Sequence, residues 1–195
     1  MPPVSMLAPF RITICGIEEL AGHCDGNVSH IISILDPEWP VPEAFGAFGE
    51  HARLELRFHD IIDKQDADMI APRHEHVAAL LSFGCRLLEE PQADVHLLVH
   101  CHAGVSRSTA SMALILAQTL PDLAAGRIFE EVLRIRPQAW PNLRILELGD
   151  TQLNRRGELV AAAAGIYRTQ LHRRQYLVEQ MRSGGRGREI EAAAS

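Results

Sequence analysis

The chain has 195 residues, of which 47% are hydrophobic and 23% are charged, and its formal net charge is −6 at pH 7. This length and balance are those of one soluble globular domain. The acidic body disfavours nucleic-acid binding, because it repels a phosphate backbone. No window approaches the ~18 apolar residues of a membrane span, and the opening stretch MPPVSMLAPFRIT lacks the pattern of a secretory signal. We therefore expect a cytoplasmic protein without stable membrane insertion.

Strand-like and helix-like segments alternate along most of the chain. Short aliphatic runs bounded by turn-forming residues predict strands at 11–15, 28–35, 52–58 and 95–100. Apolar residues at helical spacing predict helices at 16–21, 73–90, 106–119 and 123–136. Continuous apolar runs such as HIISIL are typical of strands covered on both faces. We therefore predict an α/β fold, a three-layer sandwich in which helices flank a central, mainly parallel sheet of four to five strands.

The two parts of the chain differ in charge. Residues 1–150 carry 11 basic and 21 acidic side chains, whereas residues 151–195 carry 8 basic and 4 acidic ones. Helical spacing beyond Asn142 predicts one or two further helices, so residues 151–182 should form a basic helical extension packed on or continuing the main domain 1–150. Its basic face is most simply solvated, and an acidic partner or membrane surface is the alternative. The glycines in 183–195 predict a flexible tail.

One stretch, HCHAGVSRST at residues 100–109, lies between a predicted strand and a predicted helix. A loop that leads from a strand into the first turn of a helix presents consecutive backbone N–H groups, and the helix dipole is positive at that end. Such a loop favours an anion, and phosphate is its natural ligand.

Cys101 and Arg107 in this stretch are five residues apart. The spacing lets the sulfur lie below a bound phosphoryl group while the planar guanidinium reaches two of its oxygens. The loop amides and Arg107 also favour the thiolate of Cys101. Gly104 suits a tight bend with positive φ or a close approach to ligand, and a side chain there should obstruct the anion site. We expect His100 to fix the loop through hydrogen bonds, and Ser108 to donate its hydroxyl to the sulfur as phosphate leaves.

The same stretch resembles the HC-x5-R-S/T signature of the protein tyrosine phosphatase superfamily, and in detail its dual-specificity branch, in the form of a small single-domain bacterial member. The resemblance covers roughly residues 10–150 and implies that 1–150 form a catalytic domain. It implies hydrolysis of phosphoric monoesters through a phosphocysteine intermediate, with no metal or other cofactor. The phosphate-binding residues that it implies, together with Arg107, are His102, Ala103, Gly104, Val105 and Ser106. The His102 side chain either contacts substrate at the rim or only fills space.

The resemblance further implies a carboxylic acid that protonates the leaving oxygen and later activates water. In the dual-specificity branch this is an aspartate just after a strand, and LELRFHDIID places Asp60 at the end of a predicted strand. Asp63 is the alternative, and Asp66 and Asp68 follow in the same loop. Because Cys101 must be ionised while Asp60 is protonated, activity should be greatest mildly below neutral pH.

The segment RPQAWPN at residues 136–142 has two interpretations. It resembles a segment that ends the helix after the signature in this superfamily, which would place it beside the phosphate loop. The simpler interpretation, which we favour, is a helix ended by proline, with Asn142 capping the next helix.

The substrate class follows from the loop only in part. The loop HAGVS contains no lysine with which to hold extra phosphates, so phosphotyrosine in a protein or peptide is favoured over a phosphoinositide or small phosphoester. Acceptance of phosphoserine and phosphothreonine depends on pocket depth, which is set by loops such as the proline-rich segment 36–49, predicted to be anchored by Trp39. An inactive phosphate-binding adaptor is the non-enzymatic alternative. The oligomeric state is not predicted.

Overall fold

The computed structural model describes residues 7–63, 67–91 and 94–194. Within them, the strands are β1 (Arg11–Cys15), β2 (His30–Leu35), β3 (Ala52–Arg57) and β4 (His96–His100). They form one four-stranded sheet in the order β1-β4-β2-β3, and every neighbouring pair is parallel. The predicted α/β fold with a central parallel sheet is confirmed. The predicted loop residue Asp66 lies outside the described residues.

The α-helices of the described residues are α1 (His74–Glu89), α2 (Arg107–Thr119), α3 (Ala125–Ile135), α4 (Leu143–Gln152), α5 (Glu158–Arg173), α6 (Leu177–Ser183) and α7 (Gly187–Ala194). Two short 3-10 helices occupy Ile17–His23 and Glu43–Ala47, and the second lies within the predicted loop 36–49. In the described parts of the chain, no helix combines the length and apolar character needed to cross a bilayer.

The two faces of the sheet are covered unequally. Alternate side chains of a strand point to opposite faces, and Ile32 and Val99 pack into the large core that the α-helices cover. Ile31 and Leu98, their neighbours along β2 and β4, pack into a smaller core with the 3-10 helices. The sandwich therefore has one thick helical layer and one thin layer.

All segments that follow the strands emerge at the same edge of the sheet, because the strands are parallel. Gly16 follows β1, Asp36 follows β2, Phe58 follows β3 and Cys101 follows β4. β4 lies between β1 and β2, and α2, which follows it in the chain, is buried along most of its length. Ligand sites of open parallel sheets lie outside the carboxyl ends of the strands, so this edge is where a site is expected.

The last segment, 183–195, differs from the prediction. Helices α5 and α7 pack on the main core through side chains that include Ile166 and Ile190. The predicted flexible tail at 183–195 is wrong over α7, where Glu189 is fully buried and Ala193 is 6% exposed. The physical reason is that Ile190 and Ala193 are three residues apart and share one helix face, which the core covers.

Candidate active site

Residues 101–107, here named the phosphate loop, run from the end of β4 into the first residue of α2. Gly104 has φ +68°, so the predicted positive φ is confirmed. A Cβ at this position would lie 2.4 Å from the carbonyl carbon of Cys15. A side chain at Gly104 would therefore clash with the backbone at the end of β1.

The carbonyl groups of the phosphate loop are held on its outer side. Arg136 donates from Nε to the Gly104 oxygen at 3.0 Å and from Nη2 to the Ala103 oxygen at 2.8 Å. The Ile17 amide donates to the His102 oxygen at 2.9 Å. Because C=O and N–H point in opposite directions across a trans peptide unit, the next amides of the loop point away from these partners. The loop therefore presents amide donors to one side, as anion binding requires.

The sulfur of Cys101 lies 3.2 Å from the Ser108 hydroxyl oxygen, and both side chains are buried. His100 precedes the loop, with Nε2 at 2.8 Å from the Ser33 hydroxyl and Nδ1 at 3.4 Å from the Cys101 carbonyl oxygen. Burial lowers the pKa of His100 to about 4, so its ring is neutral at pH 7. The neutral, fully buried His100 ring, hydrogen-bonded to Ser33 of β2, fixes the backbone next to Cys101.

The Arg107 guanidinium is buried and fixed by one nitrogen. Its Nη1 donates to Asp36 Oδ1 and to the Phe58 carbonyl oxygen, each at 2.6 Å. Its Nε is a buried donor that has no hydrogen-bond acceptor among the described residues. Buried donors in native proteins are almost always paired, and an Arg in this position can bind phosphate through the edge that carries Nε.

Asp60 is the predicted acid that contacts the phosphate loop. Its Oδ1 accepts hydrogen bonds from the Ser106 hydroxyl at 2.7 Å and from Asn142 Nδ2 at 2.8 Å. Its Oδ2 lies 3.4 Å from Nη1 of Arg186, just before α7. We name Asp60 and these three partners the acid site. The alternative, Asp63, is instead paired with Arg188, whose Nε and Nη2 reach its two carboxylate oxygens at 2.9 Å each.

Two opposing effects act on the protonation of Asp60. Burial would raise its pKa, but the guanidinium groups of Arg186 and Arg107, together with hydrogen bonds from Ser106 and Asn142, hold the pKa below its usual value. The carboxyl group is therefore anionic in the free protein at neutral pH. If Asp60 acts as a proton donor, these contacts favour activity at lower pH than the sequence predicted, because a proton donor must first be protonated.

An aromatic pair forms the rim of the site. The Trp39 ring lies 4.4 Å from the His102 ring, and Nε2 of His102 accepts a hydrogen bond from the Asp36 amide at 3.3 Å. Trp39 is 46% exposed, so it does not anchor the loop 36–49 as predicted. The buried side chains of Phe45 and Phe48 do so instead. A cleft of about 510 Å³ opens beside this pair, and its lining residues are Gly16, Ile17, Glu18, Glu19, Trp39, His102, Ala103 and Arg136.

Two curated phosphatases are similar to part of the chain. This chain is 31% identical over 99 residues to dual specificity protein phosphatase 12 of Rattus norvegicus. The aligned residues cover 51% of this chain and 27% of the rat protein. The chain is 28% identical over 120 residues to MAP kinase phosphatase with leucine-rich repeats protein 2 of Dictyostelium discoideum, covering 61% of this chain and 14% of that protein. The chain thus spans less than a third of the length of either relative. No protein-family model matches it.

Solved structures settle the fold. Human DUSP28 superposes with a TM-score of 0.56 at 16% identity, covering 76% of this chain and 94% of DUSP28. The human tyrosine phosphatase-like serine/threonine/tyrosine-interacting protein superposes with a TM-score of 0.56 at 16% identity, covering 77% of this chain and 95% of that protein. The chain has the protein tyrosine phosphatase fold. The fold that the HC-x5-R-S/T signature implied is thereby confirmed.

Both interpretations of residues 136–142 hold within this tyrosine phosphatase fold. Asn142 caps α4 by accepting a hydrogen bond from the Ile145 amide at 3.1 Å, which confirms the simpler one. The same segment lies beside the phosphate loop, because the Trp140 amide donates to the Val105 oxygen at 2.9 Å. The side-chain oxygen of Asn142 therefore caps α4, while its NH₂ group donates a hydrogen bond to Asp60.

Several contributors to the site were not predicted. Asp36, which pairs with Arg107, directly follows the predicted strand 28–35. Its place at the carboxyl end of a strand, where ligand sites of parallel sheets lie, could have indicated a role in the site. Arg136 belongs to a segment that resembled the superfamily, so its position near the loop was also recoverable. Arg186 carried no local signal, because it precedes α7 in a stretch that composition alone assigns to a tail.

Proposed function

We propose that the chain is a metal-independent phosphomonoesterase that dephosphorylates phosphotyrosine in proteins or peptides through a phosphocysteine intermediate. The observation that carries the proposal is the phosphate loop itself. Cys101 Sγ lies 3.2 Å from the Ser108 hydroxyl, in a loop that ends at a buried Arg107 whose Nε has no acceptor among residues 7–63, 67–91 and 94–194. A nucleophile, an anion clamp and a proton donor are thus all supplied by side chains.

The first step transfers the phosphoryl group to sulfur. The Cys101 thiolate attacks phosphorus, and an S–P bond forms as the P–O bond to the leaving group breaks. The loop amides and Arg107 hold the three transferring oxygens and balance their charge. Asp60, protonated at acidic pH, gives its proton to the leaving phenolate oxygen. The products are a free alcohol, phosphocysteine and an Asp60 carboxylate.

The second step returns the free thiolate. Asp60, now anionic, takes a proton from a water molecule as the water oxygen attacks phosphorus. The S–P bond breaks and its electrons stay on Cys101. The Ser108 hydroxyl donates to that thiolate as it forms. Inorganic phosphate leaves, and Asp60 is protonated again for the next cycle.

The rim of the cleft supports phosphotyrosine as the substrate class. Trp39 is 46% exposed beside the phosphate loop, and an exposed aromatic face of this kind suits a substrate tyrosine ring. Glu18 and Glu19 line the same cleft; Glu19 is paired with Arg136 at 2.8 Å, and the negative charge of Glu18 disfavours a headgroup that carries several phosphates. The sequence HAGVS adds no lysine to counter that repulsion.

A phosphoinositide is the second candidate substrate. The solved structure of PTPMT1 in complex with PI(5)P superposes with a TM-score of 0.51 at 17% identity. A small phosphatase of this fold can therefore hold a phosphoinositide. The experiment must for this reason include a singly phosphorylated lipid.

Phosphate release from three substrates separates the candidates. The substrates are a phosphotyrosine peptide, the same peptide with phosphoserine or phosphothreonine, and vesicles containing phosphatidylinositol 5-phosphate. We expect the highest kcat/KM for the phosphotyrosine peptide. Trp39→Ala should raise KM for it, whereas Trp39→Phe, which keeps an aromatic ring, should not. Faster release from vesicles would instead favour the lipid, and peptide binding without any release would favour the adaptor.

A further inference from the structure

Arg186 brings the C-terminal region to the acid site. The side chain is 8% exposed and lies immediately before α7. Its Nη1 is 3.4 Å from Asp60 Oδ2, while its Nε and Nη2 donate to the Glu189 carboxylate at 2.8 and 2.6 Å. One guanidinium therefore connects two carboxylates that are far apart in sequence.

Glu189 braces this guanidinium from inside the core. It is fully buried, and it also accepts hydrogen bonds from the Trp140 indole and, at 3.0 Å, from the Leu143 amide. Trp140 is itself bonded through its amide to the Val105 oxygen of the phosphate loop. A buried pair with this many partners has a fixed geometry, unlike an exposed ion pair.

Arg188 provides a natural comparison. It lies two residues further along and pairs with Asp63 and Glu147 on the surface, where its side chain is 37% exposed. It holds α7 against the same loop that carries Asp60, but it makes no hydrogen bond or ion pair with Asp60 in the described structure. We expect loss of Arg188 to remove this surface ion pair while the buried Arg186 and Glu189 contacts keep α7 docked and the Arg186–Asp60 pair in place.

Among the charged groups around Asp60, Arg186 most strongly opposes the effect of burial on the pKa of Asp60. Burial raises the pKa of Asp60, and Arg186, followed by Arg107, lowers it below its usual value. Burial keeps His102 and Tyr167 neutral near pH 7, because it lowers the pKa of the first and raises that of the second. The titratable or charged groups facing Asp60 are Arg107, His102, Tyr167, Arg186 and, behind Arg186, Glu189.

We propose that Arg186, braced by Glu189, is a positioning residue that couples the docking of α7 to the catalytic acid. It fixes the Asp60 carboxylate at the phosphate loop and stabilises its anionic form, so proton donation is confined to acidic pH. The inference rests on the proposed function, in which Asp60 is the proton donor. Release of α7 would extend activity to higher pH.

The test compares pH profiles of kcat/KM for nitrophenyl phosphate. Asp60 must be protonated to act, so its titration produces the limb that falls as pH rises. Replacing Arg186 removes a positive charge, which favours the protonated carboxyl, so this limb should move to higher pH. The variant is Arg186→Met with Glu189→Gln, because the single change would leave Glu189 buried without its partner. We expect several-fold higher activity than wild type on the alkaline side, relative to each protein's maximum.

Arg188→Met is the matched control. The falling limb of its kcat/KM pH profile should stay at the wild-type pH. An unmoved limb in the double variant would overturn the proposal. An equal shift in Arg188→Met would also overturn it, because the effect would then follow the loss of any arginine near this loop rather than the loss of the Arg186–Asp60 pair. In an Asp60→Asn background, the double variant should produce no further shift.

A second readout does not need activity. Carbon-13 NMR follows the titration of the Asp60 carboxyl, which is assigned by its loss in Asp60→Asn. The titration should move to higher pH in the double variant and in Arg186→Met alone if that folds. An unchanged titration would refute the coupling. If the variants show this NMR shift but the wild-type protein hydrolyses nothing, the result would instead refute the proposed function.

Discussion

The phosphate loop takes its residues, 101–107, from one continuous stretch, whereas the acid site gathers Asp60, Asn142 and Arg186 from three distant segments. The loop runs between two buried elements, and hydrogen bonds with Arg136, Ile17 and Asp36 hold it there. The acid site exists only after α4 and α7 have packed. Cys101 and Arg107, the proposed nucleophile and clamp, are therefore neighbours in one stretch, whereas Asp60, the proposed proton donor, reaches them only through the packing of the whole fold.

The largest expected effect comes from Cys101→Ser. The serine hydroxyl lacks the nucleophilicity of a thiolate, so turnover of nitrophenyl phosphate should be lost. The amide donors and Arg107 remain, so inorganic phosphate should still bind, as calorimetry can measure. Loss of binding would show that the loop is not an independent anion site, and retained turnover would exclude Cys101 as nucleophile.

Asp60→Asn should have the next largest effect. Removal of a general acid lowers kcat by roughly 10²- to 10⁴-fold, while the amide keeps the shape and much of the hydrogen bonding. Steady-state kinetics with phosphotyrosine peptide measures the change. Asp63→Asn, the control, should stay close to wild type. The reverse pattern would transfer the acid role to Asp63.

Gly104→Ala tests how far the loop depends on local backbone. At φ +68° a Cβ costs about 1–2 kcal/mol, and the contact with Cys15 at 2.4 Å adds to it. The free energy of unfolding in urea should fall by at least this amount. Gly126→Ala in α3, where a Cβ meets nothing within 4 Å, is the control and should be neutral or stabilising. Equal stability of the two variants would contradict the described loop geometry.

The smallest of these effects is expected from Asn142→Ser. Serine retains an oxygen to cap α4 but cannot also donate to Asp60. That hydrogen bond is one of the contacts that lower the pKa of Asp60, so its loss should move the falling limb of the kcat/KM pH profile slightly to higher pH, with little change in thermal stability. Asn142→Ala should lose the cap as well and unfold more easily. An unmoved limb in Asn142→Ser would mean that the Asp60 titration does not depend on this contact.

The sequence predicted those features that depend on neighbouring residues. Residues 100–109 contain the strand end, the loop and the helix start, so Cys101, Arg107 and the positive φ of Gly104 could be inferred together. The strand at Arg11–Cys15 was located with its observed bounds. Asp60 came from the resemblance and from its place after a strand, and the structure puts it in contact with Ser106 of the loop.

Features that depend on long-range packing were missed. The tail 183–195 was expected to be flexible because of its glycines. The buried Arg186–Glu189 pair reverses the usual rule that charged residues are exposed. Trp39 was expected to anchor the loop 36–49, yet Phe45 and Phe48 of the same loop pack into the core instead. Only the assembled chain shows which aromatic residue reaches the core.

Direct detection of the phosphorylated enzyme is the decisive measurement. The chain is mixed with phosphotyrosine peptide, quenched in acid within the first turnover and digested for mass spectrometry. We predict one added phosphoryl group on the peptide that contains Cys101, and none in Cys101→Ser. A phosphoryl group on another residue, or turnover with no phosphorylated enzyme at any quench time, would contradict catalysis through this cysteine.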